Sequence, residues 1–120
     1  MLLIKSVFSK NKLTLNLFRN NIIIGCINTH IENIPIVNEH FIDDKFKNLG
    51  YGGILLQQNE KLLAQNHDQI DLNLWCKDQC YLNYLNYYSK KNYILNDKKK
   101  IDVIDNGNKI FYNVSLKKYI

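Results

Sequence analysis

The 120-residue sequence contains no apolar run that approaches the ~18 to 20 residues a membrane-spanning helix needs, which excludes a helical membrane protein. Its opening, Met1-Leu2-Leu3-Ile4-Lys5, is too short an apolar stretch for a secretory signal, so an intracellular, cytoplasmic protein is expected. Cysteine is scarce and odd in number. Cys26, Cys76 and Cys80 follow no disulfide framework and are expected to be reduced; with His67 nearby, Cys76 and Cys80 still lack the second ligand pair of a zinc site, so no metal is expected. There is one proline, Pro35, which can open a strand but not sit inside a central one. No repeat, linker or low-complexity segment divides the chain, and residues 1–120 read as a single domain.

What is present is a globular composition, 46% apolar and 12% aromatic, with a net charge of +5 and a pI near 9.1. That balance favours anionic ligands without saying which. The abundance of Asn, Ile, Lys and Tyr reads as the codon bias of an AT-rich genome before it reads as chemistry. The one charge run, Lys98-Lys99-Lys100, is expected to be a solvated strand end.

Hydrophobic periodicity sets out the elements. Strands are expected over Leu2 to Phe8, Leu13 to Phe18, Ile22 to His30 and Ile36 to Ile42, joined by polar turns into an antiparallel meander. A helix from about Tyr51 to Gln65 follows, then a half-exposed strand from Gln69 to Trp75 in which Ile70, Leu72 and Leu74 alternate with Asp71 and Asn73. A helix between two strands implies a parallel crossover. Asp78 can cap a second helix, whose Tyr81, Tyr84, Leu85 and Tyr88 fall on one face, with Asn92 as its stop. Ile101 to Ile104, Asn106-Gly107 and Ile110 to Leu116 make a terminal hairpin. The fold class is therefore α+β, a mixed, mostly antiparallel central sheet with two main helices.

The junction from Ile42 to Leu56 is the most informative segment. A strand runs into Lys47-Asn48-Leu49-Gly50-Tyr51-Gly52-Gly53, which opens an amphipathic helix. The first turn of a helix leaves backbone N–H groups without internal partners, and glycines there let an anion approach the main chain along the favourable end of the helix dipole. This segment resembles the acetyl-CoA pyrophosphate loop of the GNAT superfamily of N-acetyltransferases, Arg/Gln-x-x-Gly-x-Gly/Ala after a strand ending in Val or Ile, with Phe46 where that family often has an aromatic. Lys47 stands where the family has Arg or Gln, keeping a cation without the planar guanidinium geometry. A second match is Tyr87-Tyr88-Ser89-Lys90-Lys91-Asn92-Tyr93, which resembles the family's Phe-Tyr-x-x-x-Gly-Phe with Asn92 in place of glycine.

The order of elements follows the GNAT order without the two helices usually inserted between the first two strands. The resemblance implies a GNAT-like acyl-CoA N-acyltransferase fold and transfer of an acetyl group from acetyl-CoA to an amine, on a small molecule or a protein, by direct attack in a ternary complex. It implies main-chain contacts from Phe41 and Ile42 to the cofactor, pyrophosphate binding by the amides of Asn48, Leu49, Gly50, Tyr51, Gly52 and Gly53 beside Lys47, and protonation of the CoA sulfur by Tyr88. His40, expected to share a strand face with Ile36, Asn38 and Ile42 while Glu39 points away, is the candidate base. His30 and His67 have weaker claims. An acceptor site lacking its usual helical wall is expected to be open or completed by a second subunit, and the Ile110 to Leu116 strand is a candidate edge for a homodimer. The alternative reading is a non-catalytic domain of this type that binds CoA or an anionic partner, or a small basic nucleic-acid-binding domain. A nucleic-acid partner is not expected, because the interleaved aromatic and basic motif of an RNA-binding sheet is missing.

Overall fold

The computed structural model describes residues 1–77, 80–96, 102–107 and 109–120. The predicted helix cap at Asp78, the lysine run at Lys98-Lys99-Lys100, the strand start at Ile101 and the turn residue Asn108 lie outside the described residues. The strands are β1 (Leu2–Ser9), β2 (Lys12–Arg19), β3 (Ile22–His30), β4 (Ile36–Ile42), β5 (Gln69–Lys77), β6 (Ile94–Leu95), β7 (Asp102–Asn106) and β8 (Lys109–Tyr119); the helices are α1 (Tyr51–Leu63) and α2 (Tyr81–Ser89). They form one sheet ordered β1-β2-β3-β4-β5-β8-β6, with β7 also paired to β8. All pairs are antiparallel except β4 with β5, where α1 makes the parallel crossover.

Turn chemistry fixes the meander. Asn20 and Asn21 both take positive φ (51° and 66°) between β2 and β3, a conformation asparagine enters more readily than most residues. Gly107 (φ 72°) does the same between β7 and β8, and Asn92 (φ 72°) ends the segment after α2 as its position predicted. The two-residue β6 was not legible in the sequence. The expectation that Ile110 to Leu116 forms an edge is corrected: β8 is interior, held by β5 on one side and by β6 and β7 on the other, because its 11 residues are long enough to take two short partners end to end.

Register separates the two faces of the sheet, since directly paired residues share a face. Leu13, Leu15 and Leu17 of β2 lie opposite Thr29, Ile27 and Gly25 of β3, and Val37 and Leu72 continue that face across β4 and β5 to Leu116 and Val114 of β8. Both helices cover it. α1 packs on β2, β3 and β4, and α2 reaches β8, with Tyr81 stacked on Tyr112 at 4.6 Å. The reciprocal bonds between Thr29 and Asn59 (3.1 and 3.2 Å), both fully buried, pin α1 to β3. Glu60 fastens the same helix to the end of the chain by accepting from Tyr93 and from Lys118, each at 2.8 Å.

Two irregularities shape the site. β4 and β5 pair only at Ile36 with Asp71 and Val37 with Leu72, and beyond Val37 they diverge. Between Thr29–Val37 and Asn28–Glu39 the β4 register skips one residue, so Asn38 is the extra residue of a β-bulge. The bulge corrects the expected alternation: His40 and Ile42 share the helix-covered face with Val37, whereas Ile36, Glu39 and Phe41 lie on the bare face. Glu39 opposing His40 holds as predicted.

Candidate functional site

β4 delivers the chain to the site and a tight turn reorients it. Asp43 accepts from the Lys45 amide at 3.0 Å and starts a single 3-10 turn, Asp44–Phe46, after which Asn48 (φ 63°) and Gly50 (φ 84°) bend the backbone into α1. The sequence showed the need for glycine at Gly50 but not the left-handed Asn48. The Ile54 amide bonds the Gly50 carbonyl at 3.2 Å, so the amides of the turn before it are those a helix leaves without intrahelical acceptors. No acidic side chain occupies that first turn to compete for an anion.

The mouth between the diverging strands is a cleft of about 520 Å³, bordered by His40, Phe41 and Ile42 from β4, by Phe46, Lys47, Asn48, Gly50, Tyr51 and Gly52 from the loop, and by Asn83, Tyr84, Tyr87 and Tyr88 from α2. The structure thus joins β4 and its loop to α2, although α1 and β5 lie between them in sequence. Two of the residues expected in the loop fall elsewhere: Leu49 is exposed and stands outside the cleft, and Gly53 faces a neighbouring groove with Lys90 and Lys91. A Cβ at Gly53 would sit 3.1 Å from the Lys91 ammonium, which places a second cation at the start of α1. The Lys47 ammonium is paired at the surface. It lies 2.8 Å from Asp44, whose carboxylate is pulled below its ordinary pKa by that hydrogen bond while Lys47 is pushed up.

At the inner end of the cleft, Tyr88 is buried and its hydroxyl lies 2.7 Å from Nδ1 of His40, while Nε2 of His40 lies 2.9 Å from the Gly52 carbonyl oxygen. Burial pushes the Tyr88 phenol up, with the neighbouring Tyr87 and Tyr84 adding to it, and burial also lowers the His40 imidazole. Tyr87 and Tyr93 meet the Tyr88 ring edge-on at 5.0 and 5.9 Å and fix its orientation. Both imidazole nitrogens are engaged, so His40 does not present a bare nitrogen to an approaching amine.

Sequence reading missed Gly25. A Cβ on Gly25 would lie 2.5 Å from Cδ1 of Ile42 and 2.8 Å from the Phe41 carbonyl oxygen, so glycine is what lets the end of β4 lie against β3. A single glycine inside an aliphatic strand carries that signal only weakly. Of the remaining candidates, Cys26 donates a hydrogen bond to Glu39 at 3.3 Å and its thiol is pushed up to about 11 by burial and by that bond, leaving no thiolate at neutral pH. His30 pairs with Glu32 outside the cleft. Among the described residues no helix is long and apolar enough to cross a membrane.

No family model and no curated protein sequence matches the chain. Solved structures do. A GNAT family acetyltransferase from Elizabethkingia anophelis with acetyl-CoA bound superimposes with a TM-score of 0.75 at 17% identity, covering 99% of this chain and 98% of that one. An IAA acetyltransferase from Bacillus cereus gives 0.75 at 14% identity over the whole of both chains. The PaiA N-acetyltransferase from Thermoplasma acidophilum, in complex with coenzyme A, gives 0.61 at 19% identity, and there the match spans 92% of this chain but 62% of the larger enzyme. The match to the first two runs from end to end of both chains. The splayed β4 and β5, the crossover helix between them and the tyrosine-bearing helix beyond are the GNAT acyl-CoA N-acyltransferase fold, and this chain has it.

Proposed function

We propose that the chain is an acetyl-CoA-dependent N-acetyltransferase that passes the acetyl group to an amine by direct attack in a ternary complex. The observation that carries the reading is the meeting of two groups in one cleft: the open amides at the start of α1 and the Tyr88 hydroxyl, one at each end of the gap between β4 and β5. Acetyl-CoA and coenzyme A are bound in two of the structures with this fold, which supports the choice of cosubstrate.

The parts divide the chemistry. Backbone amides of the loop from Asn48 to Gly52 hold the pyrophosphate, with the Lys91 ammonium close by at Gly53. The unpaired edge of β4 at Phe41 and Ile42 holds the pantetheine and polarises the thioester carbonyl, because diverging strands leave main-chain groups without sheet partners. The amine enters from the bare face, where no described helix stands in its way and where Glu39, Phe41 and Trp75 are exposed. Its lone pair attacks the carbonyl carbon, the C–S bond breaks, and Tyr88 gives the departing thiolate its proton.

The test is acetyl-CoA titration followed by assay against a panel of amines. Micromolar binding with acetyl transfer to at least one amine is expected, and Tyr88→Phe should then lower kcat by about 100-fold or more with little change in acetyl-CoA affinity. Binding without transfer to any small or peptidic amine would replace this reading with that of a non-catalytic CoA-binding domain.

A further inference from the structure

We infer that Tyr88 and His40 form a proton relay that serves both proton transfers of the reaction, taking the proton from the attacking amine and returning it to the CoA thiolate. The inference rests on the function proposed above and goes beyond it by assigning the tautomer of His40 and the direction of the Tyr88 hydroxyl.

The tautomer follows from the partners. The Gly52 carbonyl oxygen can only accept, so the 2.9 Å bond requires the proton on Nε2 of His40. In a neutral imidazole Nδ1 is then a bare acceptor, and the Tyr88 hydroxyl 2.7 Å away must donate to it. The resting hydroxyl therefore points at the histidine and offers its oxygen lone pairs to the cleft. A tyrosine held this way is first a base. As the amine attacks, its N–H proton passes to the Tyr88 oxygen while the tyrosine's own proton passes to Nδ1 of His40, giving an imidazolium that still donates from Nε2 to Gly52. When the C–S bond breaks, the thiolate takes a proton from Tyr88 and Nδ1 returns one to the tyrosine. The amine's proton ends on CoA, the electron pair of the C–S bond ends on sulfur, and the dyad is restored.

Energetics favour the pair over either member alone. Burial raises the phenol's pKa, so a lone Tyr88 would leave an expensive tyrosinate behind each time it protonated sulfur. A proton arriving from His40 in the same step removes that cost. Burial also keeps His40 neutral in the resting enzyme, ready to accept. The titratable groups facing it are Tyr87 and Tyr88 from α2; α1 offers the Gly52 carbonyl, and on the sheet its register partner Ile27 and its same-strand neighbour Ile42 are apolar.

His40→Gln separates a relay from a merely structural contact, because the glutamine amide can still donate to Gly52 but cannot carry a proton. With a proven acceptor, His40→Gln should lose about 100-fold in kcat while keeping the KM for acetyl-CoA, should abolish the acid limb of the pH–rate profile, and should be non-additive with Tyr88→Phe. That limb should lie below the ordinary imidazole value of 6.5, since the relay needs Nδ1 unprotonated and burial lowers the pKa. A wild-type kcat in His40→Gln, an unchanged acid limb, or additive losses would overturn the relay alone; a wild-type protein that binds acetyl-CoA and acetylates nothing would overturn the function as well. Should the variant fail to fold, ¹⁵N NMR of the histidine rings in the wild-type protein decides independently: a protonated Nε2 and bare Nδ1 on His40 are expected, and the opposite tautomer refutes the relay.

Discussion

The two faces of this sheet are built from alternate residues of the same strands, yet they differ in almost every physical respect. On the covered face Leu13, Leu15, Leu17, Ile27 and Val37 have no exposure at all, and the site residues His40 and Tyr88 are set among them. On the bare face the central rungs are polar and the apolar side chains, among them Val7, Phe41 and Trp75, are exposed. Thr14 donates to Asn28, and Asn28 and Cys26 both donate to Glu39, forming a ladder across β2, β3 and β4 that water can still reach. The difference teaches where chemistry can be placed. Hydrogen bonds that steer protons need water excluded, and only the face with helices offers that; the other face supplies access.

The sharpest way to break the comparison is Gly52→Val. A Cβ there would meet the Tyr87 hydroxyl at 3.0 Å and the His40 ring at 3.6 Å, so a branched side chain fills the cleft at the α1 amides. Acetyl-CoA binding by calorimetry should be lost with the circular dichroism spectrum retained, and an unchanged affinity would mean that the cofactor lies elsewhere. Next in size is a contrast of neighbours in the β1–β2 pair. Leu15→Ala on the covered face should cost about 2 to 5 kcal/mol in urea denaturation, whereas Val7→Thr, on the bare face and 54% exposed, should stay within about 0.5 kcal/mol. Equal losses would mean that the bare face is covered in solution. Thr29→Val, which strands the Asn59 amide under α1, should lie between them at about 1 to 3 kcal/mol.

Two smaller effects concern charge. The folded-state pKa of His40 is below its unfolded value, so between the two the unfolded chain binds more protons and stability rises with pH. Acidification from 6.5 downward should therefore weaken the wild-type protein more than His40→Gln, measured as melting temperature against pH. Asp44→Asn should free the Lys47 ammonium and tighten acetyl-CoA binding a few-fold at low salt, with the gain lost at high salt.

Much of the architecture was legible because the strands announce themselves by strict alternation and their turns by asparagine and glycine. β2, β3, β4 and β5 start within a residue of where the pattern put them, and α1 begins at Tyr51 as its glycine turn required. The site was legible in part. The loop and Tyr88 could be placed because each sits in a local motif, but their mutual position depends on tertiary packing. Three features were hidden for identifiable reasons. The Lys47–Asp44 pair belongs to a 3-10 turn that periodicity does not mark. Gly25 is needed for a contact with Ile42, which is distant in sequence. The bulge at Asn38 has no composition signal, since its exposed asparagine would suit an ordinary solvent-facing strand position equally well.

That extra residue works on β4 as a single inserted letter works on a coding message: everything beyond it is read in the other frame. Ile36 and Val37 are displayed in one phase, and Glu39 through Ile42 in the opposite one. The bulge absorbs the insertion, setting Glu39 opposite Asn28 directly after Val37 opposite Thr29. Asn38 itself pairs with nothing in that ladder, so its side chain can change freely. A strand that took Asn38 into regular pairing would keep every group named in the relay and the cleft, and would turn His40 and Ile42 toward solvent and Glu39 and Phe41 into the core.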